Sequence, residues 1–165
     1  MESALSTTHS APKTSSMHAN AVVPSRICLI SLGGEYFAVD LRHVREVFEL
    51  ESVTPVPGMP STLIGVANLR GTVMPLADLR PSLGIDATTE QHFVIVLRHG
   101  LQQVGLLIDD VPEIRTIHPD DILAATSKGI TESRPFLSGL VKVEERMSGM
   151  MEVPKLLACV DGALK

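Results

Sequence analysis

Gly65-Val66-Ala67-Asn68-Leu69-Arg70-Gly71-Thr72-Val73-Met74-Pro75-Leu76-Ala77-Asp78-Leu79-Arg80 is the stretch on which the fold turns. Two apolar runs, Ile64 to Leu69 and Thr72 to Leu76, flank Arg70-Gly71. A two-residue connection with glycine free to take positive φ predicts a β-hairpin. Asp78 reads as the N-cap of a short helix ending near Gly84. Pro75 cannot donate to a ladder, which predicts that its strand meets an edge or a bulge.

The same punctuation recurs along the chain. Ile27 to Leu32 and Glu35 to Val39 flank Gly33-Gly34; Phe93 to Leu97 and Val104 to Ile108 flank His99-Gly100; Gly139 to Val143 and Met147 to Val153 flank Glu144-Glu145-Arg146. Asp40 is placed to cap a helical turn before Val44 to Val53, which runs into a loop holding Pro55, Pro57, Gly58 and Pro60. Glu113 to Ile117 reads as a shorter strand. Pro119 to Pro135 reads as a long surface loop with one helical turn at Asp120 to Ala124, and Pro154 opens a last short helix through Leu157. About ten short strands at this spacing predict an all-β sandwich or barrel, and exceed what one small barrel needs.

Composition bounds the function. The chain has 165 residues, 44% of them hydrophobic, enough for a core, with 14 Lys and Arg against 19 Asp and Glu for a net charge of −5. Residues 1–25 are rich in Ser, Thr and Ala and carry only Glu2 and Lys13 as charges, so they read as a flexible tail, with His9 and His18 solvated. Residues 26–165 form the body. The scattered Lys and Arg make no basic stripe, and no Trp, one Tyr and four Phe leave few stacking platforms, which argues against nucleic acid. No window approaches the roughly 18 to 20 apolar residues that span a bilayer, and no secretory signal precedes the body. The expectation is a cytoplasmic protein with no direct membrane insertion. Cys28 and Cys159 sit in apolar runs, where each reads as a small buried hydrophobe.

Catalytic motifs are missing. His43, His92, His99 and His118 show no helical metal spacing, and there is no Cys-x-x-Cys, so no metal or other cofactor is expected. No nucleophile elbow or phosphate loop occurs. Asp109-Asp110 follows an apolar strand as the acidic pair of a phosphorylatable receiver does, but Val111-Pro112 and another strand-like run follow instead of an amphipathic helix. The pair reads as solvation of a strand end. In Val44-Arg45-Glu46-Val47-Phe48-Glu49-Leu50, apolar residues fall on both parities, so Val47 and Phe48 cannot share one core unless a bulge or turn intervenes. Contact with a partner and burial between two layers both remain open there.

The opening stretch, read again at full length, resembles the signature of CheW-like chemotaxis coupling proteins, G-V-x-N-L-R-G-x-x-x-P-h-x-D-L-R with h apolar. Glu35 to Asp40, Val44 to Val47, Val104 to Val111 and Leu137 to Leu140 follow in the family's order. The resemblance covers about Arg26 to Leu157. It implies an all-β fold with short helices: two interlocked five-stranded SH3-like β-barrels, with approximate subdomains 26–86 and 87–165. It also implies a non-enzymatic adaptor that joins a CheA-type histidine kinase regulatory domain to the cytoplasmic hairpin tips of methyl-accepting chemoreceptors, recruited through these partners to membrane-associated arrays.

By residue, the resemblance carries the receptor-facing groove to Val44, Glu46 and Arg70, with Gly65, Gly71 and Gly139 at retained glycine positions and Phe48 as candidate for the kinase face. Arg70 would pair with Glu46 or with a receptor carboxylate or amide, and Val44 would add apolar contact. The chain departs from the family at Arg146 to Val153, where Gly149 inside a strand suggests a bulge. A scaffold of a non-chemotactic array, for surface motility or second-messenger output, is the alternative with the same fold. A β-barrel enzyme or small-ligand module is the distant one.

Overall fold

The computed structural model describes residues 26–60, 62–86, 90–124 and 134–164. The tail expected at 1–25 and residues 125–133 of the predicted loop lie outside the described residues. The elements are β1 (Arg26–Leu32), β2 (Glu35–Asp40), β3 (Val44–Glu49), β4 (Leu63–Leu69), β5 (Thr72–Ala77), α1 (Arg80–Leu83), β6 (Phe93–His99), β7 (Gln102–Ile108), β8 (Glu113–Thr116), β9 (Ile122–Ala124), β10 (Leu137–Val143), β11 (Arg146–Met151) and α2 (Val153–Leu164). All four hairpins form, with antiparallel pairing between β1 and β2, β4 and β5, β6 and β7, and β10 and β11.

The hairpins assemble into two sheets, in the orders β8-β1-β2-β11-β10-β9 and β3-β6-β7-β5-β4. Antiparallel hairpins are joined to each other by short parallel contacts, β2 with β11 and β5 with β7. The N-terminal hairpin thus shares a sheet with the last two long strands, and the boundary near residue 86 does not separate the sheets, because β6 and β7 stay with β3, β4 and β5. Interlocking follows from this exchange.

Burial explains why such short strands hold. Ile27, Cys28, Leu29 and Ile30 are all buried in succession, which requires a layer on each face of β1. Ile27 and Leu29 join Ala38, Val141, Val143 and Met150 of the first sheet, and Ile117 just past β8, in one cluster. Ala67, Leu76, Val94 and Leu107 make the equivalent cluster within the second. A sheet that meets itself around its own side chains is curled into a barrel, and each barrel here has a small interior. The larger core lies between them: Cys28, Ile30, Phe37 and Val39 from one sheet meet Ile95, Leu97, Leu106 and Ile108 from the other. Val153, Leu156, Leu157 and Val160 close it from α2, on one face at helical spacing. Phe37 is fully buried there, so its truncation to Ala costs about 3–5 kcal/mol.

Several local expectations are corrected. Ile122–Ala124 is a strand and not a helical turn: it pairs with Gly139, Leu140 and Val141 while Ile122 packs on the first barrel's interior, which gives that sheet six strands instead of five. The helical turn itself falls at Pro119–Asp121. The third turn falls at Gly100-Leu101, one residue later than expected, with Gly100 at φ 63°. Leu79, not Asp78, is the N-cap of α1; Asp78 accepts instead from the Arg80 backbone N–H at 3.0 Å. Pro75 lies on an inner strand, but only Leu76 and Ala77 pair with β7, and the bulge sits opposite in β4 between Leu63 and Gly65. α2 runs on past Leu157 because its apolar face continues to Val160. Gly149 sits in regular pairing; an added Cβ would meet the Phe37 ring at 3.0 Å, and the bulge is in β10, between Leu137 and Gly139. Cys28 is buried, which raises its thiol pKa, whereas Cys159 is exposed on α2.

Candidate functional site

Val44 and Glu46 lie on β3, an edge strand, and a bulge between them shifts its pairing with β6. The extra residue is Arg45. This resolves the apolar run of mixed parity: Val44 and Val47 both pack on the core between the barrels, because the bulge restores their common side. Phe48 turns the other way, half-buried against the interior of the second barrel together with Leu50, Val53 and Ile64. Both layers of the burial reading are therefore present.

Arg70 reaches this strand from another direction. It occupies the turn between β4 and β5 at φ 51°, followed by Gly71 at φ 84°. Two positive φ values in succession are what a two-residue hairpin with the sheet's own twist needs. Asn68 braces the turn by accepting from the Gly71 N–H at 2.9 Å. Held there, Arg70 places Nη1 3.4 Å from Glu46 Oε2. The Arg70 side chain is 81% exposed and that of Glu46 21%, so the guanidinium projects while the carboxylate is shielded. A long, exposed pair of this kind is worth ~0–1 kcal/mol to the fold.

The three glycines differ in what they do. At Gly65, φ is 151° and an added Cβ would lie 2.4 Å from the Thr54 carbonyl oxygen. That closeness permits the two 3.0 Å hydrogen bonds between Thr54 and Val66 that tie the proline-rich loop to β4. Gly71 has open space around it and is required for its backbone conformation alone. Gly139 is buried in β10 beside the bulge, between Met150 and Ala124 in the pairing. It stands on the other sheet from Val44, Glu46 and Arg70.

Asp109 is not a carboxylate that solvates a strand end. It accepts from the Gly33 and Gly34 N–H groups at 3.0 Å each, from Ser31 Oγ at 2.9 Å and from Gln91 Nε2 at 3.0 Å. Burial pushes its pKa up, but the donors, Gly33 foremost, outweigh this and hold it below the usual aspartate value. Asp109 is thus a clamp from β7 onto the β1–β2 turn, linking the two sheets.

A repeated Asp-Leu-Arg, at Asp40 to Arg42 after β2 and Asp78 to Arg80 after β5, went unread as a repeat in the sequence. In both copies the Asp accepts from the Arg backbone N–H two residues on and pairs with its guanidinium. The second copy is buried and the first is partly exposed. Burial again pushes the Asp40 pKa up, but the hydrogen bonds and charge of Arg42 outweigh it, and the pKa ends up lowered. Among the described residues no group of His, Cys, Asp and Glu is placed to hold a metal ion, and no helix is long and apolar enough to cross a membrane.

Residues 26–160 match the CheW-like domain family. The chain belongs to that family. It is 31% identical over 153 residues to the chemotaxis protein CheW of Klebsiella aerogenes, covering 92% of each chain. It is 35% identical over 124 residues to CheW of Rhizobium meliloti, covering 74% of this chain and 80% of the other. The fold is similar to the crystal structure of the scaffolding protein TtCheW from Thermoanaerobacter tengcongensis, with a TM-score of 0.69, 28% identity and coverage of 78% of this chain and 89% of that one. As a CheW-family protein the chain is a non-enzymatic scaffold of chemotaxis signalling with SH3-like barrels, and its place is in a chemotaxis array.

Proposed function

We propose that this chain couples a CheA-type histidine kinase, through that kinase's regulatory domain, to the cytoplasmic hairpin tip of methyl-accepting chemoreceptors, and works in the cytoplasm on membrane-associated arrays. Val44, Glu46 and Arg70 form the receptor contact. The observation that carries this reading is the convergence of Arg70 and Glu46, 24 residues apart, at 3.4 Å. Arg70 is exposed while its backbone is fixed by the turn, so only side-chain freedom remains to be lost when it meets a partner. Gly65 and Gly71 support the hairpin that presents it, and Gly139 serves the opposite sheet. Phe48, with Leu50, Val53 and Ile64, offers a half-covered apolar row for the kinase.

Binding of the purified chain to a receptor cytoplasmic hairpin and to a CheA-type regulatory domain tests the reading. Arg70→Glu is expected to weaken the receptor alone, and Phe48→Ala the kinase domain alone, with folding followed by circular dichroism. A folded wild type that binds neither partner would overturn it.

A further inference from the structure

At one end of β3 and β6 a concavity of about 390 Å3 is lined by Arg42, His43, Val44, Arg45, Arg98 and His99, so that it shares Val44 with the receptor contact but not Arg70 or Glu46. No Asp or Glu lines it, in a chain whose net charge is −5. We propose that this concavity docks an acidic, carboxylate-rich segment of a protein partner, and that it does so independently of the receptor contact at Arg70.

The charges are left over from the fold. Arg42 is matched by Asp40, but the side chains of Arg45 and Arg98 donate to neutral groups, Gln103 Oε1 at 3.0 Å and the Gly100 carbonyl at 3.1 Å. Among the described residues neither has a carboxylate partner. Their positions are also set. Arg45 is the extra residue of the β3 bulge, a feature that re-aims a side chain. His43 donates from Nδ1 to the Arg98 carbonyl at 3.2 Å, since that oxygen can only accept, and its ring meets that of His99 edge-on at 5.4 Å between centroids.

The occupant follows from exposure. Arg42, Arg45, Arg98 and His99 are all exposed, and a single exposed ion pair is weak and screened by salt. Useful affinity needs several such pairs made at once, which one small anion cannot span and a run of carboxylates can. Guanidinium groups also suit carboxylates through paired, parallel hydrogen bonds. β3 is an edge strand, the kind of element beside which an extended segment can lie.

Fluorescence anisotropy of a labelled hexaglutamate peptide with the full chain at low salt provides the test. Saturable binding is expected, weakened at least ~10-fold by Arg45→Glu/Arg98→Glu and by Arg45→Gln/Arg98→Gln, the milder pair guarding against misfolding. Lys142→Glu/Lys155→Glu, the same charge change away from the concavity, should leave affinity within about twofold. Arg70→Glu should do the same, which separates this site from the receptor contact. No binding by wild type, an equal loss in the Lys142/Lys155 variant, or unchanged binding when Arg45 and Arg98 are replaced would overturn the proposal. Displacement by inorganic pyrophosphate as effective as by unlabelled peptide would replace the acidic segment with a phosphate ligand and overturn it too.

Discussion

Asp109 and Glu46 each reach a hairpin turn distant in sequence: Asp109 binds the Gly33–Gly34 turn, and Glu46 meets the Arg70–Gly71 turn. Asp109 accepts four hydrogen bonds of 2.9–3.0 Å from groups that belong to two different sheets and their connections. Among the described residues Glu46 has one polar contact, at 3.4 Å, to a side chain that is 81% exposed. The first arrangement exhausts the acceptor capacity of its carboxylate on the protein itself. The second leaves a guanidinium with most of its donors facing solvent. Two carboxylates that look alike in sequence thus divide into a structural clamp and a contact left open for a partner.

The contrast predicts a graded series of effects. Asp109→Ala removes four hydrogen bonds to a charged acceptor, and should lower unfolding free energy by about 3 kcal/mol, read from urea melts at constant m. Asp109→Asn, which keeps the shape and loses the charge, should fall between it and wild type. If Asp109→Ala cost no more than a surface substitution, the clamp would be refuted. Gly65→Ala comes next at about 2 kcal/mol, because the added carbon meets backbone, not a movable side chain, with faster amide exchange at Thr54 and Val66 as its local signature.

Acid sharpens the same comparison. The Asp109 pKa is lowered in the fold, so its contribution is fully present above the unfolded value of about 3.9 and is lost as pH falls through the folded value. Asp40, also lowered, adds to this loss in the same direction. Stability of wild type should therefore drop as pH falls below ~4, and Asp109→Asn should flatten that drop. A steeper acid loss in the variant would contradict the assignment.

Arg70 should do the reverse of Asp109. Arg70→Gly relieves a left-handed conformation while adding freedom to the unfolded chain, so stability should change by less than ~0.5 kcal/mol. Its effect belongs in binding, where truncating an anchored Arg costs on the order of 2 kcal/mol.

The two turns in this comparison were legible in the sequence; the clamp at Asp109 was not. The hairpins at Gly33-Gly34 and Arg70-Gly71 are written in two residues each, because a two-residue turn is a local affair. Val44, Glu46 and Arg70 were reachable only through the resemblance, since nothing in periodicity brings residue 70 to residue 46. The partners of Asp109 lie up to 78 residues away, across an interlocked topology that parallel contacts between hairpins create. Three-residue β9 hides in a polar stretch, since only its partner β10 makes it a strand. The basic concavity was hidden for the same reason: Arg42, Arg45 and Arg98 are scattered in sequence and gathered by the pairing of β3 with β6.

The most direct test of the receptor contact is the Kd of a receptor cytoplasmic hairpin for wild type and Arg70→Glu, measured beside their urea midpoints. The account predicts midpoints that nearly coincide and an affinity lower by at least ~10-fold in the variant. Equal affinities from two equally stable proteins would contradict it.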